Sequence, residues 1–217
     1  MLDLYLIRHA ESEMNNLPLI GGRSGNSPLS ARGNLQAILV GGRLRYESIF
    51  FNEVYSSPAV RAVKTAKEAC KMIDYPLDKI VQYAELDELS MGDWEGKPRV
   101  EIYTPEMLAH INSNNWEFKA PNGESQREVE ERMYGWVKEC LLSRQDQNLT
   151  VGVFSHGMAI KCLLRGIMEF APKITYKIAL DNTSITRLKY TERGWHLMAI
   201  NDTAHLLGEQ RLKDPYS

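Results

Sequence analysis

Cysteine is scarce in these 217 residues: Cys70, Cys140 and Cys162 are the whole set, and they are widely spaced. An odd, scattered set offers neither a disulfide framework nor the C-x-x-C clusters of zinc and redox sites. The three read as buried thiols of a reducing compartment. Long apolar runs are also missing. The stretch at 2–7 has no basic leader and meets Arg8 too soon for a signal peptide. No other run approaches the roughly 18 to 20 residues of a membrane span, so a cytoplasmic protein without membrane contact is expected. Charge of one sign is lacking as well: 26 Lys and Arg face 28 Asp and Glu, a formal balance of -2. That removes a global basic field for nucleic acid or anionic lipid, and any anion site has to be local. There is no internal repeat, low-complexity tract or Pro/Gly/Ser-rich linker. Residues 1–217 are expected to form one domain around one core.

What recurs instead is an apolar run, a turn and then a helical pattern. Residues 2–7 form a nearly continuous apolar run, which suits a strand covered on both faces, and it stops at Arg8-His9. Ser30 can cap a helix with Leu35, Ile38, Leu39 and Leu44 on one face. Glu53-Val54-Tyr55-Ser56 reads as a strand. Ser57-Pro58 supplies an N-cap residue with proline at the first helical position, predicting a helix over 59–72 with Arg61 in its first turn. Ser125-Gln126-Arg127-Glu128 is a capping box ahead of the stripe Val129, Met133, Trp136, Val137, Cys140 and Leu141. Residues 150–154 are a second buried-strand run, broken at Ser155-His156-Gly157 and followed by a helix over about 158–168. Residues 184–190 and 195–200, joined by Thr191-Glu192-Arg193-Gly194, read as an edge hairpin. Together these predict a three-layer α/β/α sandwich with a mostly parallel central sheet. The exposed hairpin edge leaves a homodimer open.

In open sheets of this kind, ligands bind outside the carboxyl ends of the strands. The residues expected there are Arg8, His9, Arg61 and His156. If those ends converge, guanidiniums, imidazoles and helix N-termini build a cationic pocket suited to a phosphomonoester dianion. Nearby cations should hold an imidazole neutral and therefore nucleophilic. Expelling an alkoxide further requires a proton donor. The segment 85–96 carries Glu85, Asp87, Glu88, Asp93 and Glu95 beside a glycine-marked turn, and spacing alone does not choose among them.

Leu6-Ile7-Arg8-His9-Ala10-Glu11-Ser12, with Asn15, resembles the R-H-G-E-T-x-x-N opening of the phosphoglycerate mutase-like, or histidine phosphatase, superfamily. The resemblance continues through Pro28-Leu29-Ser30, Ser56-Ser57-Pro58 with Arg61 and Thr65, Leu86-Asp87-Glu88 with Gly92 and Trp94, Gly123-Glu124-Ser125 and Ser155-His156-Gly157. It implies a phosphoglycerate mutase-like fold, with His9 as phosphorylated nucleophile and Glu88 as proton donor. It also implies Arg8, Arg61 and His156 as phosphoryl ligands, with Asn15 and Gly157 as further contacts. Ser12 is added to the substrate contacts. Departures are Ala10, Ser12, Met14, Asn26 and Met158, which bear on substrate preference.

Taken singly, Arg-His or Ser-His-Gly is more often an ordinary turn feature. Glu85, Asp87 and Glu95 are read as solvated loop carboxylates. His110, His196 and His205 show no ligand pairing, and no metal or other cofactor is expected. The Gly152-Val153-Phe154-Ser155-His156-Gly157 segment lacks the spacing of a nucleophile elbow. The stretch Gly21-Gly22-Arg23-Ser24-Gly25 is no P-loop but a loop near the pocket, where Gly22 and Arg23 meet substrate. Trp94, Tyr103, Met107, Trp116 and Phe118 are expected to pack a lid-like insert over about 91–124, which, with Lys97 and Arg99, selects the leaving group. The expected activity is metal-independent hydrolysis of a small-molecule phosphomonoester through phosphohistidine. The rivals are a cofactor-dependent phosphoglycerate mutase and a non-catalytic phosphate-binding module. The ending Asn201-Asp202-Thr203-Ala204-His205-Leu206 and the short insert favour hydrolysis.

Overall fold

The computed structural model describes residues 1–23, 27–144 and 148–206. Ser24 and Gly25 of the glycine-rich stretch, and Asn26, lie outside the described residues. In chain order the elements are β1 (Leu2–Arg8), α1 (Ala31–Tyr46), β2 (Glu53–Ser56), α2 (Val60–Met72), β3 (Val81–Gln82), α3 (Arg99–Ile102), α4 (Pro105–Ser113), α5 (Gln126–Trp136), β4 (Leu149–Ser155), α6 (Gly157–Met168), β5 (Ile185–Thr191) and β6 (Gly194–Asp202). The strands make one six-stranded sheet ordered β3-β2-β4-β1-β5-β6. The β1/β4, β2/β4 and β2/β3 pairs are parallel, while β1/β5 and β5/β6 are antiparallel. This is the expected α/β sandwich with a hairpin at one edge. The two-residue β3 carries too little pattern to be read from sequence. Among the described residues no helix is long and apolar enough to cross a membrane.

The period of two along β1 divides its apolar run between the layers. Leu2, Leu4 and Leu6 join Val129 and Met133 of α5 and Leu163 and Leu164 of α6 in one core. Tyr5 and Ile7 turn the other way, to Val40 and Leu44 of α1 and Ala66 and Ala69 of α2. Burying each such leucine contributes roughly 1.5–3 kcal/mol before chain entropy is counted.

The face of α1 differs from the expected one. Leu35 and Ile38 are 47% and 43% exposed, Leu39 is half-buried, and the inward face is Gly33, Gln36, Ala37, Val40, Gly41 and Leu44. The reason is the close approach of α1 and α2: a Cβ on Gly41 would lie 2.7 Å from the Cα and the carbonyl oxygen of Ala69. Small residues win that face, and larger apolar ones are left outside. Ser30 caps α1 as expected, accepting from the Gly33 N–H at 2.9 Å.

Helix α2 starts one residue later than predicted, with Ala59 and not Ser57 at the N-cap. The Ser57 hydroxyl bridges to Asp87 instead, at 2.5 Å, besides accepting from the Ala59 N–H. The capping box of α5 forms in both directions between Ser125 and Glu128. Its stripe is buried apart from the half-buried Cys140, and its last turn, Val137–Leu141, widens to a π-helix.

Residues 91–124 form short helices that supply most of a separate hydrophobic cluster. Trp94, Tyr103, Met107 and Phe118 pack there around Ile20, Ile111 and Ala120. Trp116 does not join them; the Arg165 guanidinium lies over its ring at 3.9 Å.

The α1/α2 contact generates a paired test. Gly41→Val should destabilise by about 1–3 kcal/mol through overpacking. At Gly42 a Cβ meets nothing within 4 Å, so Gly42→Ala should stabilise by roughly 0.5–1 kcal/mol. Urea denaturation of both variants checks this, and similar small effects at the two positions would contradict the packing described.

Candidate active site

Strand register assembles the site. Arg8 pairs with Ser155 across β1/β4, and Ser56 pairs with Phe154 across β2/β4. The chain therefore leaves three adjacent parallel strands at nearly one level. There the His9 N–H donates to the Ser155 carbonyl at 2.9 Å and the Ser57 N–H to that of Phe154 at 3.0 Å. His9, Ser57 and His156 are thus neighbours because the sheet is parallel at its centre.

Hydrogen bonds fix both histidine tautomers. His9 Nδ1 lies 2.7 Å from the Ala10 carbonyl oxygen. A carbonyl only accepts, so Nδ1 carries the proton and Nε2 presents its lone pair, 3.3 Å from Arg61 Nε. His156 has the opposite tautomer: Nδ1 accepts from Arg61 Nη2 at 3.1 Å, and Nε2–H donates to Ser57 Oγ at 2.8 Å. Ser57 in turn donates to the Asp87 carboxylate. The two imidazoles meet edge to face with centroids 5.1 Å apart.

Both rings are buried: His9 keeps 4% of its surface, at the cleft, and His156 none. Burial first, and then the charges of Arg61 and Arg8, hold the His9 pKa well below the ordinary imidazole value. For His156 the causes are burial, then Arg61, His9, Arg132 and Arg8. Each imidazole is therefore neutral at physiological pH.

The cations are held by backbone. Arg61 Nη2 donates to the Gly22 carbonyl at 2.9 Å. Gly22 has φ +132, and a Cβ there would strike Glu95 Oε1 at 2.4 Å, which only glycine avoids. Arg8 Nη1 donates to the Leu180 carbonyl, while its buried Nε has no partner among the described residues. Glu88 sits at the N-terminus of α6. Its carboxyl oxygens accept from the Met158 N–H at 3.2 Å, the Ala159 N–H at 3.0 Å and its neighbour Leu89 N–H at 2.8 Å.

The cleft so formed is lined by Arg8, His9, Ser12, Asn15, Gly22, Arg61 and Glu88, together with Met91, Arg99 and Met158. Most of the expected site residues are therefore brought together. Three are not on the wall. His156 stands behind Arg61, fully buried. Gly157 opens α6 beside Arg8, its Cβ position 3.5 Å from Nε. Arg23 is turned aside, ion-paired with Glu124 at 2.6 Å and donating to the Glu88 carbonyl. It therefore buttresses the Glu88 backbone rather than facing substrate. Lys97 is exposed and off the wall, whereas Arg99 is on it.

Sequence reasoning missed Ser57, Asp87, Glu95 and Asn182. Asp87 is the end of the His156 relay, and Glu95 Oε1 accepts from the Arg23 and Met91 N–H groups, so neither is the solvated loop acid expected. Glu85 is exposed, as expected. The adjacency of Asp87 to Glu88 was the available signal. Asn182 Nδ2 donates to the His9 carbonyl from 173 residues away, and nothing local announces it. Among the described residues no group of three or more His, Cys, Asp or Glu side chains is placed to hold a metal ion.

A parallel-centred sheet thus carries paired imidazoles and arginines at its carboxyl end. The sequence matches the family described as the histidine phosphatase superfamily (branch 1) over residues 4–203, and the chain belongs to that superfamily. It is 36% identical, over 95% of each chain, to a Yersinia enterocolitica protein named probable phosphoglycerate mutase GpmB. It is also similar to phosphoserine phosphatase from Entamoeba histolytica, solved with 3-phosphoglyceric acid: 30% identity, TM-score 0.79, covering 95% of this chain and 100% of that one. A mycobacterial glucosyl-3-phosphoglycerate phosphatase shares the fold, with TM-score 0.80 at 22% identity over 93% of this chain and 99% of that one.

The neutral histidines predict a pH dependence with a definite sign. Their folded pKa values are depressed, so between those values and about 6.5 the unfolded chain binds more protons than the folded one. Stability is then full above about pH 6.5 and falls as pH drops below it, by up to about 1.4 kcal/mol per pH unit for each histidine. Nitrogen NMR should show His9 and His156 still neutral at pH 5.5, and protonation of either ring near 6.5 would refute this electrostatic picture.

Proposed function

We propose that this chain is a phosphatase that hydrolyses a small phosphomonoester through a phosphohistidine at His9. The observation that carries the reading is the neutral His9 on the cleft wall, its unprotonated Nε2 accepting from Arg61 Nε at 3.3 Å, beside an Arg8 whose Nε has no acceptor among the described residues. A phosphoryl group placed there gives both guanidiniums anionic oxygens and the imidazole an electrophile. Ser12, Asn15 and Gly22 line the cleft and complete the substrate contacts, with Gly157 beside Arg8 just off the wall.

In the first step the Nε2 lone pair forms the N–P bond while the ester P–O bond breaks. The leaving oxygen takes a proton from Glu88, the single carboxyl group among the described residues lining the cleft. In the second step water attacks phosphorus, Glu88 takes a proton from it, the N–P bond breaks, and inorganic phosphate leaves. Arg61 and Arg8 neutralise charge throughout, while the relay through Ser57 and Asp87 holds His156 with its Nδ1 toward Arg61.

The names of the curated relatives favour a second reading, an isomerase that returns the phosphoryl group to another hydroxyl of the bound alcohol. The same groups serve both reactions, and phosphate release separates them.

Phosphate release from alkyl phosphates should persist in excess chelator and vanish in His9→Ala. Glu88→Gln should lose about 10²–10⁴ in rate on an alkyl phosphate and far less on a nitrophenyl ester, whose leaving group needs little protonation. Equal losses on both esters would assign the proton to another group. Interconversion of phosphoglycerates without release would replace the phosphatase reading by the isomerase.

A further inference from the structure

Beside the catalytic cleft lies a second and larger chamber of about 510 Å³, against about 90 Å³ for the cleft itself. Leu89, Met91, Arg99 and Met158 line both, so the two cavities share one wall of side chains. The body of the chamber is mostly apolar, made by Tyr103, Leu108, Ile111, Phe118, Ala120 and Tyr176, with the amides of Asn112 and Asn115 also on its wall. Only two of its lining residues are charged. Glu124 is paired with Arg23 at 2.6 Å and Arg132 at 3.2 Å, and Arg99 belongs to the part shared with the cleft.

One buried group argues that the chamber is a site and not a packing void. Gln126 is 2% exposed and lines the chamber, and its amide meets Thr175 Oγ1 at 2.7 Å while Nε2 has no partner among the described residues. Turning the amide over leaves the other end unpaired, since the one Thr175 hydroxyl already has the Pro172 carbonyl at 3.1 Å. A buried amide end without a partner is costly unless something is to meet it.

Resting on the phosphatase reading above, we propose that this chamber receives the leaving group of the substrate, an uncharged and largely apolar alcohol of at least bicyclic bulk with a polar atom that meets the Gln126 amide. A glyceryl or seryl group would leave most of the volume unfilled. The residues that would choose the substrate then lie on α4 and the loop after it, next to the phosphoryl chemistry but separate from it.

The test measures binding apart from turnover, by calorimetry of naphthylethylphosphonate and ethylphosphonate on the full chain. The naphthyl compound should bind tighter by on the order of 30-fold or more, from the apolar area it buries. Leu108 is 43% exposed, so Leu108→Trp can fill the chamber from its rim without disturbing the core. It should bring the affinity ratio close to one. Equal affinities in the wild-type protein would overturn the proposal, as would an unchanged ratio in the variant. Tighter binding of a carboxylate-bearing phosphonate than of the naphthyl compound would overturn it in favour of a glycerate-like substrate. Phosphate release from the matching esters is read in parallel. Selective naphthyl binding without release from any ester would sustain the chamber while refuting the phosphatase reading.

Discussion

Everything else at this site depends on a histidine that is kept unprotonated beside two arginines. In water such neighbours would matter little, because solvent screens them. Here His9 is buried at the cleft wall, so desolvation and the two guanidiniums act in the same direction. The bond from Nδ1 to the Ala10 carbonyl then decides which nitrogen is left bare. A side chain that is ordinarily half-charged near neutrality becomes a neutral base with its lone pair fixed in direction.

That arrangement is delivered by the sheet. Parallel pairing of β1, β4 and β2 brings three chain exits to one level, and the apolar alternation of β1 locks the strand between two helical layers. The positive charge is balanced at a distance from the nucleophile: Asp87 acts through Ser57 on His156, Glu88 sits on the α6 amides, and Glu124 anchors Arg23 and Arg132. The carboxylates thereby hold the loops without neutralising the arginines at the point of attack. In the proposed reaction only Glu88 leaves that supporting role, to move protons.

The strand ends and their cationic residues were legible in the sequence because buried parallel strands are continuous apolar runs that stop abruptly, at Arg8-His9 and at Ser155-His156. The capping box of α5 was legible for a similar reason, since both partners lie within one turn. The inward face of α1 was hidden because close backbone approach selects small residues there, Gly33 against Glu11 and Gly41 against Ala69 of α2, which carry almost no hydrophobic signal. Ser57 was misread because capping a helix and bridging to a carboxylate use the same hydroxyl, and only tertiary placement of Asp87 decides between them. Arg23 is a converse case: its charge suggested substrate, and Glu124, 101 residues on, claims it. Asn182 and the apolar chamber depend on segments far apart in the chain, for which no local pattern exists.

The relatives include proteins named for mutase and for phosphatase activity, and the reaction proposed for this chain begins with transfer to His9 under either reading. The decisive measurement is therefore of the intermediate. A phosphomonoester carrying radiolabelled phosphorus is mixed with the protein, quenched in alkali, and the labelled peptide identified. The label should sit on the peptide containing His9, survive base, be lost in acid, and be absent from His9→Ala. Acid-stable label on Ser57, or turnover with no labelled peptide at any time point, would contradict attack by His9.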